Sequence, residues 1–393
     1  MKNVFIAGID GYLGWPLSLY LISRGYSVSG CDVFHRRTWV EEIGSQSATP
    51  ITRMQDRLSK CEEVFGKKPR FYYADLLDGP VISDIIEKES PDAIVHLAEM
   101  PSAPFSMIDA DHCNLTHVNN LVGTLNLLHA MKKFCPDTHL VKLGTMGEYG
   151  TPNVDIPEGF FEIEYRGRKD ILPFPRQPGS WYHLTKVHDS NNILFACKVW
   201  GLRSTDIMQG VVYGARIPEM QDDELLTRFD FDEHFGTAIN RFCAQAVIEH
   251  PLTPFGKGHQ RRGFLPLKDS MQCLTLAIDN PPEHGEYRTF NQFEETYNVY
   301  ELADKVKNVA LEIGVNAKVR HVENPRVEME EHYYNPDHQH LLDLGYIPTR
   351  DMDKEIKNML LDLLQFKDRI KEKKELLIPE TRWSGEKRKS KFI

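Results

Sequence analysis

A glycine-rich turn near the amino end constrains the fold of this chain more than any other feature. Gly8, Gly11 and Gly14 have G-x-x-G-x-x-G spacing, directly after the apolar run 4–7 and at the start of a run with helical spacing, 11–24. In a strand–turn–helix, such glycines let the backbone approach a pyrophosphate at the positive end of the helix. The pattern therefore predicts a dinucleotide-binding α/β fold.

An acidic residue indicates which dinucleotide is bound. Asp32 ends the second strand-like run, where a carboxylate accepts hydrogen bonds from the adenine ribose and repels a 2′-phosphate. NAD is therefore favoured over NADP. Arg36 and Arg37 belong to the predicted cofactor site, but we interpret them as charges that face solvent or substrate. The remaining predicted cofactor contacts are Tyr12, Leu13, Asp75, Leu76, Leu97, Ala98, Glu99, Asn119, Gln209 and Val212.

Strand-like and helical runs alternate through the first half of the chain. Strands are predicted at 27–32, 70–74, 93–97, 139–144 and 203–208, and helices at 81–88, 115–134 and 181–200. This order is typical of a Rossmann-type doubly wound parallel sheet. The alternation ends after residue 212. We therefore predict an NAD-binding domain over 1–212 and a smaller, mainly substrate-binding lobe over 213–393, with some segments returning to the first domain. The long connection 34–69 predicts an inserted element near the ligand.

A tyrosine and a lysine mark the predicted catalytic site. Tyr182 and Lys186 lie one helical turn apart, and Thr145 follows the fifth strand. The lysine and a positive nicotinamide would lower the pKa of the phenol and favour its use as a base. Sugar 4,6-dehydratases resemble this chain but place an aspartate and a glutamate directly after that threonine. Met146 and Gly147 stand there instead, which disfavours a standard dehydratase.

Several longer runs resemble the UDP-sulfoquinovose synthase family, of the extended short-chain dehydrogenase type. The likeness extends from the first strand to about residue 370, and it is carried by residues 102–109, 119–126, 142–150, 182–190, 206–214, 235–238, 240–243, 324–328 and 331–335. The resemblance implies a reaction on UDP-glucose in which Tyr182 takes the O4 proton while NAD accepts hydride from C4. Water then leaves C6, sulfite adds there and the hydride returns. His183 and Glu148 are the candidates for the steps at C5 and C6, with a structural role for His183 equally open.

The substrate contacts are also predicted largely from this resemblance. The glycine-rich run 256–263 carries cations of the kind that a diphosphate requires. Gln260, Arg262 and Arg326 are expected to bind the nucleotide, and Asn120 and Gln209 the sugar. The other expected substrate contacts are Ser102, Ser106, Met107, Thr145, Met146 and Gly147. No metal site is predicted.

Composition restricts the partners and the compartment. The chain has 47 Lys and Arg against 57 Asp and Glu, a net charge of −10, which disfavours nucleic acid or an anionic membrane as a partner. Seven cysteines without a C-x-x-C pair, and the lack of a signal peptide, predict free thiols in a cytoplasmic enzyme.

Surplus apolar residues in the helices at 115–134 and 181–200 predict a homodimer or a larger assembly. The tail 384–393 is expected to fray.

Three functions are compared on this basis. The first is UDP-sulfoquinovose synthesis, formally of the hydrolase class that acts on carbon–sulfur bonds, in sulfolipid or glycan biosynthesis. The second is a UDP-glucose 4-epimerase or an atypical 4,6-dehydratase. The third is a non-enzymatic NAD-binding sensor or scaffold, which would be expected to have lost Thr145, Tyr182 or Lys186; all three are present.

Overall fold

A seven-stranded parallel sheet lies at the centre of the protein, which is described by a computed structural model over residues 2–329 and 331–393. The strands have the spatial order β11-β8-β5-β4-β1-β2-β3 and every neighbouring pair is parallel. In chain order they are β1 (Asn3–Ala7), β2 (Ser27–Asp32), β3 (Arg70–Tyr73), β4 (Ala93–His96), β5 (His139–Thr145), β8 (Arg203–Gln209) and β11 (Tyr287–Gln292). This confirms the predicted Rossmann-type doubly wound sheet.

The other strands form two smaller sheets. β9 (Val211–Tyr213), β10 (Arg261–Pro266) and β12 (Glu295–Asn298) form a three-stranded sheet, and β6 (Phe160–Tyr165) and β7 (Arg168–Pro173) form a hairpin. The α-helices are α1 (Gly14–Ser23), α2 (His35–Glu42), α3 (Met54–Phe65), α4 (Gly79–Glu89), α5 (Ala103–Ser106), α6 (Ala110–His117), α7 (Gly123–Phe134), α8 (Trp181–Trp200), α9 (Ala238–Val247), α10 (Leu267–Asp279), α11 (Val299–Glu312), α12 (Gln339–Asp343), α13 (Met352–Leu364) and α14 (Lys367–Lys371).

The central strands are apolar because helices can cover both faces of a parallel sheet. All four residues of β4 are buried, as are four of the five in β1. Residues at the carboxyl ends of these strands, or directly after them, lie along one edge of the sheet. Gly8 follows β1, Asp32 ends β2, Leu97 follows β4 and Thr145 ends β5. Ligands of such folds bind at this edge.

Three details differ from the sequence-based prediction or refine it. The connection 34–69 contains α2 and α3, which the alternation did not predict. The helix predicted at 115–134 begins earlier, at Ala110, and is interrupted by a π-helical turn, Val118–Val122. The strand β11 lies in the second half of the chain but pairs with β8 in the main sheet. Helix α8 has the bounds that the sequence predicts.

The predicted fraying of the tail is wrong. Phe392 forms an antiparallel bridge with Val322, and the backbone N–H of Ile393 donates to the carbonyl of His321 at 3.1 Å. Ser390 is buried. A short polar sequence was expected to stay solvated, but here its backbone groups pair with a neighbouring segment.

Candidate active site

One large cavity, of about 960 Å³, lies along the carboxyl edge of the main sheet and extends to the three-stranded sheet. The glycine turn and the strand ends line it on one side, and Phe264 of β10 and Arg326 on the other. The predicted site residues that line it are Gly8, Gly11, Tyr12, Leu13, Gly14, Asp32, Arg36, Asp75, Leu76, Leu97, Ala98, Glu99, Ser102, Asn119, Thr145, Met146, Gly147, Tyr182, His183, Lys186, Gln209, Val212, Gln260, Arg262 and Arg326. The structure thus brings together residues that are distant in the sequence.

The glycine turn fits a dinucleotide. Gly8 has a φ of +86°, and a Cβ there would lie 2.7 Å from the carbonyl carbon of Leu97. A Cβ on Gly14 would lie 2.1 Å from the carbonyl oxygen of Gly8. Any side chain at these two positions would collide with the backbone. Gly11 instead faces the cavity, where its lack of a side chain leaves room for a pyrophosphate.

Asp32 is positioned for ribose recognition. Its carboxylate accepts hydrogen bonds from the backbone N–H groups of Asp10 at 2.9 Å and Phe34 at 2.7 Å, which fix its orientation. Burial, followed by the nearby Asp10 carboxylate, raises the pKa of Asp32 to about 6. The group is therefore still largely ionised at neutral pH and can accept hydrogen bonds from ribose hydroxyls.

The structure corrects the placement of Arg37. Its guanidinium binds the carboxylate of Asp10 through two hydrogen bonds, of 2.7 and 2.6 Å, and it does not line the cavity. The same carboxylate accepts a hydrogen bond from the buried Arg57 at 2.8 Å. Arg36 does line the cavity, but it pairs with Asp230 at 2.7 Å. Arg37 is therefore committed to holding the turn, and it offers no support for a 2′-phosphate.

The first turn of α8 carries the catalytic pair. The hydroxyl of Ser180 caps this helix by accepting a hydrogen bond from the backbone N–H of His183 at 3.2 Å. The hydroxyl of Ser106 accepts one from the N–H of Tyr182 at 3.0 Å. These contacts fix the start of the helix, so that Tyr182 and Lys186 both face the cavity beside Thr145.

A carboxylate neighbours the catalytic lysine. The Nζ of Lys186 lies 2.5 Å from Oε2 of Glu99 and donates to the carbonyl of Leu143 at 2.6 Å. Burial, and then the negative charge of Glu99, raise the pKa of Tyr182 above its ordinary value. The predicted lowering of this pKa by Lys186 is therefore not seen in the protein itself, because burial, and after it the charge of Glu99, act in the opposite direction.

Glu148 does not occupy the position that the sequence predicts for it. Its side chain is fully buried, does not line the cavity, and pairs with Lys142 and Arg176, each at 3.3 Å. Lys142 also lies 3.4 Å from Asp206. The 3₁₀ turn Met146–Glu148 carries the side chain into this network of charges below the site. We therefore assign Glu148 no direct role at C5 or C6.

Three further predicted contacts lie outside the cavity. Ser106 holds the start of α8, and Met107 and Asn120 do not line the cavity either. Asn120 is fully buried, and its side-chain amide bonds to the backbone of Met100 and to the hydroxyl of Thr185. These residues lie outside the residues that line the cavity, and we assign no substrate contact to Asn120.

His183 lies in the space that a side chain at position 147 would fill. A Cβ on Gly147 would be 2.3 Å from Nε2 of His183. The other ring nitrogen, Nδ1, lies 3.0 Å from the hydroxyl of Ser180. Burial, and then the positive charges of Arg326 and Arg262, lower the pKa of His183 to about 3. The imidazole is therefore neutral at neutral pH.

This electrostatic environment gives a pH prediction for His183. A bound diphosphate would neutralise the two arginines, so adding UDP should raise the pKa of His183 above its value in the protein alone. By linkage, UDP should then bind more tightly as the pH falls towards the pKa of the complex. An NMR titration of the imidazole with and without UDP measures this shift. An unchanged or lowered pKa would contradict the placement of the diphosphate.

A cluster of cations faces the cavity opposite the catalytic helix. Arg241, Arg262 and Arg326 line this side together with Glu328, whose carboxylate accepts a hydrogen bond from Arg262 at 3.0 Å. The side-chain amide of the buried Gln260 has no hydrogen-bond partner among residues 2–329 and 331–393. These groups form a positive, polar surface in a protein of net charge −10. A diphosphate matches it.

Arg241 belongs to the site although the sequence did not predict it there. This side chain is 3% exposed, it lines the cavity, and burial followed by Arg326 lowers its pKa to about 10. The only indication in the sequence is an arginine within the largely apolar helix α9. A buried cation in such a helix needs an anionic partner.

Comparison with known proteins identifies the family. The profile of the NAD dependent epimerase/dehydratase family matches residues 4–292. The UDP-sulfoquinovose synthase of Sulfolobus acidocaldarius is 47% identical, over 97% of this chain and 97% of its own length. The chain belongs to the UDP-sulfoquinovose synthase family. The chloroplastic UDP-sulfoquinovose synthase of Spinacia oleracea is 46% identical, over 97% of this chain and 79% of its own.

The fold agrees with this membership. A UDP-glucuronic acid 4-epimerase from Bacillus cereus, solved with UDP-glucuronic acid and NAD, superposes with a TM-score of 0.68 at 19% identity, over 94% of this chain and 99% of that one. Membership of the UDP-sulfoquinovose synthase family establishes the chain as an enzyme and confirms the predicted NAD cofactor. No helix in the described part of the chain is long and apolar enough to cross a membrane.

Proposed function

We propose that this protein converts UDP-glucose and sulfite into UDP-6-sulfoquinovose. The 47% identity to a UDP-sulfoquinovose synthase over 97% of both chains carries the proposal. The cavity supports it, because it combines a dinucleotide turn, a Thr–Tyr–Lys set and a cluster of arginines. NAD, when bound, accepts hydride from C4 of the sugar and later returns it.

Three side chains would perform the proton chemistry at C4. Tyr182 removes the proton from O4 as that carbon is oxidised, and it gives the proton back when the ketone is reduced. Thr145 shares the hydrogen bond to O4. Lys186, held by Glu99 and by the carbonyl of Leu143, has its Nζ 5.8 Å from the centroid of the Tyr182 ring. The ketone at C4 makes the C5 proton acidic, which allows loss of the C6 hydroxyl.

His183 is the residue that we assign to the steps at C5 and C6. Dehydratases of this type have a glutamate at the position of Gly147, and here Nε2 of His183 fills the space where that side chain would begin. The imidazole removes the C5 proton and donates it to the departing hydroxyl, which leaves as water. Sulfite enters as hydrogensulfite: its sulfur adds to C6, and its proton passes through the imidazole to C5. Glycine at 147 is therefore required so that the ring can occupy this position.

A product assay separates this proposal from its alternatives. The enzyme is incubated with NAD and UDP-glucose, with and without sulfite. The nucleotide sugars are then separated by chromatography, and their masses are measured by mass spectrometry. The sulfonated UDP-sugar should form only with sulfite. UDP-galactose as the main product would instead identify a 4-epimerase. A dehydrated 4-keto sugar would identify a dehydratase. Binding of NAD without any conversion of UDP-glucose would favour an NAD-binding sensor or scaffold.

A homodimer is proposed from one apolar surface, which we call the helical face. It comprises exposed apolar side chains on α6, the π-helical turn, α7 and α8, and α6 and α7 both pack against α8. Its members are Leu115, Val118, Val122, Leu125, Trp181, Phe195 and Val199. Their spacing places the first four on one side of the helix. Exposed apolar side chains that gather on helices packed together mark protein interfaces.

The helical face gives a test of the assembly. Phe195 is 60% exposed, so Phe195→Glu should leave the monomer folded and disrupt the dimer, because a carboxylate would be buried in the interface. Light scattering after size exclusion should show a dimer for the wild type and a monomer for the variant. Ile347→Glu, at a 76% exposed residue outside the helical face, is the control. A monomeric wild type would contradict the dimer.

We also propose a reducing compartment and a formal class for this enzyme. All seven cysteines have free thiols, which supports a reducing compartment such as the cytoplasm. The reverse of the proposed reaction is hydrolysis of a carbon–sulfur bond. For that reason the enzyme would be classed with the hydrolases, although in the forward direction it forms the bond.

A further inference from the structure

The carboxyl-terminal segment 379–393, which we call the C-terminal strap, folds against the loop that carries Arg326. The backbone N–H of Trp383 donates to the carbonyl of Pro325 at 2.9 Å. At the far end, the N–H of Ile393 donates to the carbonyl of His321. The strap therefore runs beside residues 321–325 and is attached to them through backbone groups. It lies beyond the residues that the family profile matches.

Charged contacts hold the strap on the same loop. The carboxylate of Glu323 accepts hydrogen bonds from the guanidinium of Arg388 at 2.6 Å, from that of Arg382 at 3.5 Å and from the N–H of Lys391 at 3.2 Å. Arg382 also donates to the carbonyl of Asn324. One carboxylate thus joins both ends of the strap to the loop before Arg326.

A second attachment connects the strap to another wall of the cavity. The carboxylate of Glu233 accepts hydrogen bonds from the N–H groups of Glu380 at 2.7 Å and Thr381 at 3.1 Å. The imidazole of the next residue, His234, lies 2.9 Å from the hydroxyl of Thr381. The carbonyl of His234 in turn accepts a hydrogen bond from Ser102, which lines the cavity. The strap is therefore fixed from two sides.

These attachments bring Trp383 into the cavity wall. Its ring centroid is 5.3 Å from the guanidinium carbon of Arg326, and its Cζ3 would lie 3.9 Å from a Cβ on Gly179. Gly179 directly precedes Ser180, the cap of the catalytic helix. The indole thus lies between an arginine of the cation cluster and the start of the helix that carries His183 and Tyr182.

We propose that Trp383 is a substrate-binding residue that covers the junction between the hexose and the diphosphate of the UDP-sugar. The identity of this ligand rests on the proposed function. An indole offers a large, rigid apolar surface, which matches the C–H face of a hexose. It also keeps the guanidinium of Arg326 in place through a cation–π contact. The strap is the element that holds the indole in position.

Calorimetry with the NAD-loaded enzyme tests this contact. Trp383→Ala should weaken the binding of UDP-glucose about tenfold, with a smaller loss for UDP, because the hexose contact is removed. Trp383→Phe should recover most of the affinity, since an aromatic face remains. Lys389→Ala, at an exposed position of the strap outside the cavity, should bind as the wild type does.

A spectroscopic measurement distinguishes contact from a general loss of structure. UDP-glucose should change the tryptophan fluorescence of the wild type, and most of that change should be missing in Trp383→Phe. If Trp383→Ala does not fold, Glu323→Gln loosens the strap without removing a side chain that lines the cavity, and it should weaken binding of UDP-glucose by a smaller factor.

Two results would overturn the proposal. One is wild-type affinity for UDP-glucose in folded Trp383→Ala, and the other is an unchanged fluorescence response in Trp383→Phe. Both measurements are made without sulfite. A wild-type enzyme that binds UDP-glucose but forms no sulfonated product would therefore contradict the proposed reaction and leave the Trp383 contact in place.

Discussion

Tyr182→Phe is expected to lower kcat for sulfonate formation by about 10²- to 10⁴-fold, because this phenol is the only general base assigned to O4. The variant should still bind NAD, since the glycine turn and Asp32 are untouched. It should also bind UDP-glucose with near wild-type affinity. Calorimetry for both ligands and a product assay measure these effects.

A matched control accompanies this variant. Tyr300 is 46% exposed and lies outside the cavity, so Tyr300→Phe should keep full activity. Substantial turnover by Tyr182→Phe would show that another group removes the O4 proton. A loss of NAD binding would show that the Tyr182 hydroxyl is also needed to keep the cofactor site in its folded form.

Lys142→Met is expected to destabilise the fold by about 3–5 kcal/mol, the cost of leaving buried carboxylates without their cation. Lys142 is fully buried and lies 3.3 Å from Glu148 and 3.4 Å from Asp206. It also donates to the hydroxyl of Ser190 at 3.0 Å. Because Ser190 belongs to α8, the variant should also shift the catalytic helix and reduce turnover of the folded fraction.

Denaturant unfolding measures the change in stability. Lys67 is exposed, so Lys67→Met is the control and should unfold within about 0.5 kcal/mol of the wild type. If Lys142→Met were as stable as the wild type, the ion-pair network of Lys142, Glu148, Asp206 and Arg176 would not stabilise the fold. Glu148 would then become a candidate for chemistry again.

The sequence predicted the features that depend on local spacing. The glycine turn, Asp32 and the Tyr182–Lys186 pair each depend on residues a few positions apart in known elements, and the structure brings them to one cavity. Helix α8 has the bounds that the sequence predicted, and its cap, Ser180, directly precedes it. Features of this kind are predictable because they are set by residues that are close together in the sequence.

The sequence could not indicate which way a side chain leaves a turn. Glu148 lies three residues after Thr145, so it was assigned to the site, but the 3₁₀ turn directs it into buried charges instead. Asn120 was assigned next to the sugar although it bonds to Met100 behind the cavity. In both cases burial depends on strands and helices that are distant in sequence.

Long-range contacts explain the residues that were missed. Trp383 meets Gly179 across more than half of the chain, and no periodicity links them. Arg241 lies in a helix whose other residues are largely apolar, and only the fold places it beside Arg326. The tail was expected to fray because polarity alone does not show that a neighbouring segment offers backbone partners.

A doubly labelled substrate tests most directly whether the enzyme sulfonates UDP-glucose through a transient ketone at C4. UDP-glucose labelled with deuterium at C4 and at C5 is converted with NAD and sulfite in ordinary water, and the product is analysed by mass spectrometry and NMR. The product should carry a sulfonate at C6, deuterium at C4 and solvent hydrogen at C5, because the ketone at C4 makes the C5 hydrogen acidic. Unconverted UDP-glucose, or a sulfonated product that keeps its deuterium at C5, would contradict the ketone route.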